Sequence, residues 1–165
     1  MKHSEQVRDA EPIPLRIGDS LPPLKVTVSA EKMKTAAALL ADPNPIHFDP
    51  EAVRQLGLGE RTINQGPLNM GYLMNMLAHF SGSHERLRHF NVRFIANVFA
   101  GDQLQATGQI TALCPRAKHD ELEVECAIQL AVVGAAPVLS GTATVMVPQS
   151  RYVVADTSTE KGASS

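Results

Sequence analysis

The stretch PLNMGYLMNMLAHF, residues 67–80, carries apolar side chains on most sides of a predicted helix. Leucine, methionine, tyrosine and phenylalanine recur at spacings that cover most of the circumference at 3.6 residues per turn. A helix that is apolar nearly all round must be buried nearly all round. We therefore expect this helix to lie at the centre of the fold. We interpret its methionines as core residues rather than as the lining of an apolar ligand tunnel.

The sequence after this helix alternates apolar and polar side chains with a period of two, which is typical of β-strands. The plainest example is LEVECAIQLAVV, residues 122–133, where every second side chain is apolar. Strands of similar pattern are predicted at 24–28, 92–98, 104–112 and 138–147. We interpret the Gly-Asp pair at 101–102 as the turn of a hairpin between its neighbouring strands.

Long strands joined by short turns predict an antiparallel sheet. A long sheet that follows one fully apolar helix buries both most simply by wrapping around that helix. The sequence thus predicts the α+β class and a hot-dog fold, a long antiparallel β-sheet wrapped around a central buried α-helix. An α+β sandwich, in which the helix lies on an open sheet, is the alternative.

The predicted domain covers residues 13–148, and nothing in the sequence suggests a repeat or a second domain. Residues 1–12 are expected to form an N-terminal tail. Residues 149–165 end in a stretch with almost no apolar content, so we expect a disordered C-terminal tail.

The overall composition excludes several classes of protein. Fifteen basic and 17 acidic residues give a net charge of −2 with no broad basic face, so no nucleic-acid partner is expected. No apolar run approaches the roughly 18 residues of a membrane span, and the N-terminus lacks the apolar segment of a signal peptide. We therefore expect no membrane association and a cytoplasmic location.

The two cysteines and the histidine series suggest no metal site. Cys114 and Cys126 do not form a CxxC pair, so we predict two buried free thiols, with a disulfide across a hairpin as the alternative. His79, His84 and His89 recur every five residues, a spacing that scatters them around a helix axis.

Two helices precede the central one. A helix over residues 29–41 is predicted to begin at an N-cap, Ser29, and a shorter helix over 49–57 begins at a second N-cap, Asp49. The connection between them is short and rich in proline, which an ordinary connector does not need.

That connection, ADPNPIHFDP at residues 41–50, brings together an acidic group and an imidazole on a stiff backbone. Its prolines push Asp42 and Asn44 towards extended conformations. A rigid backbone suits side chains that must hold one small molecule together. Asp42 and His47 can supply a base and an acid near neutral pH, and we hypothesise that they hold a water. A plain turn with a surface histidine is the alternative.

The segment over residues 41–73 resembles the signature of the MaoC-like, R-specific enoyl-CoA hydratases. The family's Asp-x-Asn-Pro-x-His motif is matched at Asp42, Asn44 and His47, and Gly66 fits the glycine of the His-Gly-Met motif before the central helix. Residues 92–104 resemble the family's strand and Gly-Asp turn.

Five positions depart from the family pattern. Leu40-Ala41 stand before Asp42, where the family often has Ser/Thr-Gly. Gln65 replaces the histidine and Pro67 the methionine around the shared glycine, and Asn97 stands where the strand usually has proline.

The resemblance implies a reaction. Asp42 and His47 would hold one water and share the base and acid roles. The water oxygen would add to C3 of a trans-2-enoyl thioester of CoA or acyl carrier protein, and a proton would reach C2, giving the (3R)-3-hydroxyacyl thioester. Asn44 would orient the loop. No cofactor is implied, because the CoA or carrier protein belongs to the substrate.

The residues themselves suggest how the thioester oxygen is held. Gly66 directly precedes the central helix, where free N–H groups and the helix dipole favour negative charge. Since Pro67 has no N–H, Gly66 is the natural donor, although a glycine that merely starts the helix is the alternative. Asn64 and Gln65 are expected either to contact the substrate or to make local hydrogen bonds.

Two other functions are compatible with the same fold. The chain could be a non-catalytic or partner-dependent subunit of a hot-dog heterodimer, or an acyl-CoA thioesterase, which the motif spacing makes the least favoured. A sheet around one helix leaves open edges, which pairing with a second sheet would close. We therefore expect a homodimer or a hot-dog heterodimer.

Overall fold

The computed structural model describes residues 11–116 and 120–155. The strands are β1 (Ile13–Leu15), β2 (Leu24–Thr27), β3 (Leu87–Phe94), β4 (Gln103–Arg116), β5 (Glu121–Val132), β6 (Pro137–Pro148) and β7 (Tyr152–Val154). The α-helices are α1 (Ala30–Leu39), α2 (Pro50–Gln55) and α3 (Gly66–Ser81). None of these helices is long and apolar enough to cross a membrane.

Five strands form one antiparallel sheet in the order β2-β4-β5-β6-β3. Helix α3 contacts all five of them. The inward-facing residues of β4, β5 and β6 are buried against α3, as their alternation of apolar and polar residues predicts. The predicted arrangement, a long antiparallel sheet around a central helix, is confirmed.

Burial of α3 is less complete than its sequence predicts. The side that faces the sheet is buried and includes Leu73, Met76, Leu77 and Phe80. The opposite side is not covered in the single chain, because Asn75 and His79 are exposed and Met74 is only partly buried. The prediction of burial on nearly every side is therefore wrong for one chain alone.

The predicted hairpin at Gly101–Asp102 is also wrong. β3 ends at Phe94 and pairs with β6, so β3 and β4 lie far apart in the sheet. Residues 95–102 form an irregular connection between the two strands, and the carboxylate of Asp102 fixes its end by accepting from Phe99 N at 2.9 Å and Arg61 Nη1 at 2.7 Å. A Gly-Asp pair signals that the chain turns, but it does not determine which strand becomes the neighbour.

A second, two-stranded sheet closes the end of the fold. β1 and β7 pair in parallel, and Tyr152 donates a hydrogen bond from its hydroxyl to Phe80 O at 3.1 Å. The predicted C-terminal tail from residue 149 is therefore wrong for residues 152–154, which lie in an ordered strand with Tyr152 buried. Residues 1–10 and 156–165 lie outside the described part, so the tails expected there stay predictions.

The two cysteines differ in environment. Both are free thiols; Cys126 is buried in the core face of β5, whereas Cys114 on β4 is exposed. The prediction of free thiols is confirmed, and the prediction that both are buried is wrong for Cys114.

Candidate active site

The loop after α1 begins with a strained residue. Ala41 has a left-handed φ of 50°, and its N–H bonds to Ala38 O at 3.3 Å. The N–H of the next residue, Asp42, bonds to Ala37 O at 2.9 Å. This pair of bonds is the Schellman motif that ends a helix, in which glycine is the usual left-handed residue. The end of α1 thereby fixes the backbone of Asp42.

Asn44 connects the acid to the turn that carries the imidazole. Its N–H donates to Asp42 Oδ1 at 3.1 Å, and its side-chain Oδ1 accepts from Ile46 N at 3.3 Å. It is thus the N-cap of a 3₁₀ turn, Pro45–His47. The structure thus shows that Asn44 stabilises the loop between Asp42 and His47.

The acid and the imidazole meet. His47 Nε2 lies 3.2 Å from Asp42 Oδ2, and its other ring nitrogen, Nδ1, lies 2.7 Å from Ile63 O. Because a carbonyl oxygen can only accept, Nδ1 carries a proton and Nε2 faces the carboxylate. The His47 side chain is 10% exposed and that of Asp42 33% exposed, so the carboxylate is the member of the pair that reaches solvent.

The loop between α2 and α3 contacts this pair and leads to the start of α3. Ile63 N donates to Ile46 O at 2.9 Å, so Ile63 holds the 3₁₀ turn from both its N–H and its carbonyl. Gly66 follows three residues later, which bounds its Cα to about 11 Å from that of Ile63. The start of α3 therefore lies within about 11 Å, Cα to Cα, of the residue whose carbonyl holds the His47 ring.

Gly66 is the first residue of α3, a position whose N–H has no acceptor within the helix. It lines a cleft of about 340 Å³ together with Asn64, Asn69, Phe94, Ile95, Ala96, Asn97 and Val98. A Cβ at Gly66 would come within 3.3 Å of the Phe94 ring. Gly66 thus lies at the wall of this cleft, whereas Asp42 and His47 are not among the residues that line it.

The two residues before Gly66 are both buried and have different contacts. Gln65 donates from Nε2 to Met33 O at 2.9 Å, which ties α3 to α1. Asn64 donates from Nδ2 to Asn69 Oδ1 at 2.7 Å and lines the cleft. Of the two, only Asn64 is placed to contact a ligand in this cleft.

Asn69 and Tyr72 are site residues that the sequence did not single out. Burial raises the pKa of the Tyr72 hydroxyl, and a hydrogen bond with Asn64 partly opposes this rise. Asn69 is a polar side chain among the mostly apolar buried residues of α3. That break in the apolar pattern was the available signal, since buried amides need partners.

The positions of the possible metal-ligating side chains bear on the predicted absence of a metal site. Among the described residues, no three or more His, Cys, Asp or Glu side chains are grouped so that they could hold a metal ion. The three histidines of the five-residue series lie on separate elements, and His84 Nε2 bonds to Asn75 Oδ1 at 2.9 Å.

Comparison with known proteins agrees with this arrangement. A family model described as the MaoC like domain matches residues 14–131. The chain belongs to the MaoC-like family. The match begins in β1 and ends in β5, so it includes the Asp42–His47 loop, Gly66 and the whole of α3.

Individual members of the MaoC-like family show moderate identity. The mitochondrial 3-hydroxyacyl-[acyl-carrier-protein] dehydratase of Arabidopsis thaliana is 31% identical over 99 residues, which are 60% of this chain and 58% of that protein. The (R)-specific enoyl-CoA hydratase of Rhodospirillum rubrum is 30% identical over 126 residues, 76% of this chain and 83% of that protein. The chain thus spans less than two thirds of the plant relative's length.

A solved structure of an (R)-hydratase from A. caviae involved in PHA biosynthesis is similar to this chain with a TM-score of 0.69. The two are 26% identical, and the comparison covers 81% of this chain and 98% of the other. The MaoC-like chain therefore has the predicted hot-dog fold.

Proposed function

We propose that this protein is a hydro-lyase that adds water reversibly to a trans-2-enoyl thioester. The product is a (3R)-3-hydroxyacyl thioester, carried on CoA or acyl carrier protein. The observation that carries this proposal is the 3.2 Å contact between His47 Nε2 and Asp42 Oδ2, formed by the two acid–base residues of the motif. A hydratase and a dehydratase among the relatives support the reaction class.

The Asp42–His47 pair can carry out the proton transfers of this reaction. In the proposed mechanism a water binds beside the Asp42–His47 pair, within reach of both side chains, and one of them removes a proton as the water oxygen bonds to C3. The electrons of the C2–C3 double bond move towards the thioester carbonyl, and the pair returns a proton to C2. Because Ile63 O holds Nδ1–H, the proton exchange takes place at His47 Nε2.

Negative charge develops on the thioester oxygen during this step, and a donor fixed in advance lowers its energy. We assign this role to the Gly66 N–H at the start of α3, where the helix dipole adds to the effect. All the bond changes are proton transfers and one C–O bond, so the proposed reaction runs without a cofactor.

We further propose that the protein works as a homodimer or as a hot-dog heterodimer. β3 is an edge strand, and no other described strand pairs with its outer side. Leu40, which precedes the catalytic loop, and Phe48, which follows His47, are exposed. A partner that pairs with this edge and covers these side chains would also shield Asp42 from solvent. Size-exclusion chromatography with light scattering tests for a dimer of the purified chain.

The test of the activity is loss of the enoyl-thioester absorbance when the purified protein meets trans-2-enoyl-CoA substrates of graded chain length. Chiral chromatography of the product checks the (3R) configuration. We expect Asp42→Asn to abolish most of the activity. Glu31→Gln makes the same carboxylate-to-amide change in an exposed pair with Lys34, and this control should leave activity unchanged.

Other outcomes decide against the proposal. Full activity of Asp42→Asn would remove the assigned acid–base pair. Release of free thiol from acyl-CoA, detected with a thiol reagent, would identify a thioesterase instead. Activity that appears only with a co-purified second chain, and that is unaffected by Asp42→Asn, would identify a non-catalytic subunit of a heterodimer.

A further inference from the structure

Asn64 combines deep burial with an unsatisfied hydrogen-bonding atom. Its side chain is 3% exposed, yet no donor among the described residues reaches its Oδ1. Buried side-chain oxygens are nearly always paired, and leaving one unpaired destabilises the folded chain. Asn64 is also one of the residues that line the cleft, so its buried oxygen is a candidate for contact with a ligand there.

The backbone of Asn64 is held by one hydrogen bond, and its side-chain amide is oriented by another. Its backbone N–H bonds to Val98 O at 2.7 Å, and its Nδ2 donates to Asn69 Oδ1, also at 2.7 Å. With the nitrogen engaged on this side, the oxygen is the free atom.

The cleft itself indicates the chemistry of the ligand. Three of its walls are amide side chains, Asn64, Asn69 and Asn97, and the rest are Gly66 and apolar residues. None of these lining residues is charged, so the cleft suits a neutral group. Since Asn64 Oδ1 can only accept, that group must offer an N–H or O–H.

We propose that Asn64 is a specificity-determining residue whose Oδ1 accepts a hydrogen bond from a neutral N–H or O–H of an acyl thioester in this cleft. The inference rests on the proposed function for the class of ligand, because Gly66 in the same cleft is assigned to the thioester oxygen. The neutral donors of such a ligand include the N–H of the amide nearest the sulfur in the carrier arm and a hydroxyl on the acyl chain.

Binding of saturated thioesters, which cannot be hydrated, tests this acceptor separately from catalysis. One pair of ligands is butyryl-N-acetylcysteamine and its N-methyl derivative, which differ in the amide N–H. The other pair is ω-hydroxyhexanoyl-CoA and hexanoyl-CoA, which differ in the hydroxyl. We expect calorimetry to show about tenfold or tighter binding of the donor-bearing ligand in one pair, and that pair identifies the donor.

Asn64→Leu, which keeps the approximate shape and removes the acceptor, should bring the two ligands of that pair to within about twofold of each other. Thermal unfolding checks that the variant folds. If it does not, Asn69→Ala, which frees the Asn64 amide to rotate, should weaken the preference. Equal binding within both pairs by the unmodified protein, or no binding of any of the four ligands, would overturn the proposal.

Turnover of crotonyl-CoA by the same preparation separates this inference from the proposed function. Hydration without any donor preference would overturn the role of Asn64 and leave the proposed function intact. A donor preference that Asn64→Leu removes, in a protein that hydrates no enoyl-CoA, would support the binding role and remove the proposed reaction.

Discussion

His47 Nε2 and Asp42 Oδ2 lie 3.2 Å apart, and each side chain is fixed from a different direction. The end of α1 holds the backbone of Asp42, whereas the carbonyl of Ile63 holds the far side of the His47 ring. Under the proposed function the two groups act on one water as a unit, and several measurable consequences follow from how each is held.

Groups that act as a unit should show non-additive losses. We expect Asp42→Asn and His47→Gln each to lower kcat by about 10²–10⁴-fold, the usual contribution of an acid–base group. The double variant should be within about tenfold of the weaker single variant, because the second change removes a function that is already lost. Steady-state kinetics with one enoyl-CoA measures this. Losses that multiply would show that the residues act independently.

Ala41 should be improved by glycine. Its left-handed φ of 50° costs an L-residue about 1–2 kcal/mol, whereas glycine loses about 0.4–1 kcal/mol through the entropy of the unfolded chain. We expect Ala41→Gly to raise the free energy of unfolding by up to about 1 kcal/mol. The control is Ala38→Gly, in the last turn of α1, which should lower it by about 0.5–1 kcal/mol. Urea unfolding measures both changes in the free energy of unfolding. If both substitutions change it in the same direction, the inferred strain at Ala41 is refuted.

Gly66→Ala should impair catalysis with little effect on folding. The new methyl group would meet the Phe94 ring at 3.3 Å in the cleft, while alanine suits a helix at least as well as glycine. We expect kcat/KM to fall by about tenfold or more, since small displacements near reacting atoms have large effects. Phe94→Leu in the same chain removes the ring and should restore part of the loss. If Phe94→Leu restores no activity, the contact with the Phe94 ring is not the cause of the loss.

The buried thiol should make stability fall at high pH. Burial raises the pKa of Cys126 to about 12, with a smaller contribution from the negative charge of Glu125, against an ordinary value of 9.0. Between these values the unfolded chain releases the thiol proton while the folded chain keeps it, so the free energy of unfolding decreases as pH rises. Urea unfolding across this range should show a steeper decrease for the unmodified protein than for Cys126→Ala. Equal slopes would contradict the burial effect.

The sequence by itself determined the local parts of this protein. Ser29 and Asp49 cap their helices as predicted, and the period-two segments at 122–133 and 138–147 form β5 and β6. The segment from Asp42 to His47 was also recognisable from the sequence as a candidate acid–base site. Helix caps, prolines and the alternation of apolar and polar residues depend on positions close together in the chain. The local sequence is therefore sufficient to predict their effects.

Tertiary structure alone decided the rest. The pairing of β3 with β6 instead of β4, the parallel β1–β7 sheet and the exposed side of α3 depend on which surfaces become buried together. The unpaired oxygen of Asn64 likewise becomes visible only when its amide nitrogen is seen to be engaged by Asn69. Such relations join residues that are brought together by burial of the whole chain, and no local preference of the backbone encodes them.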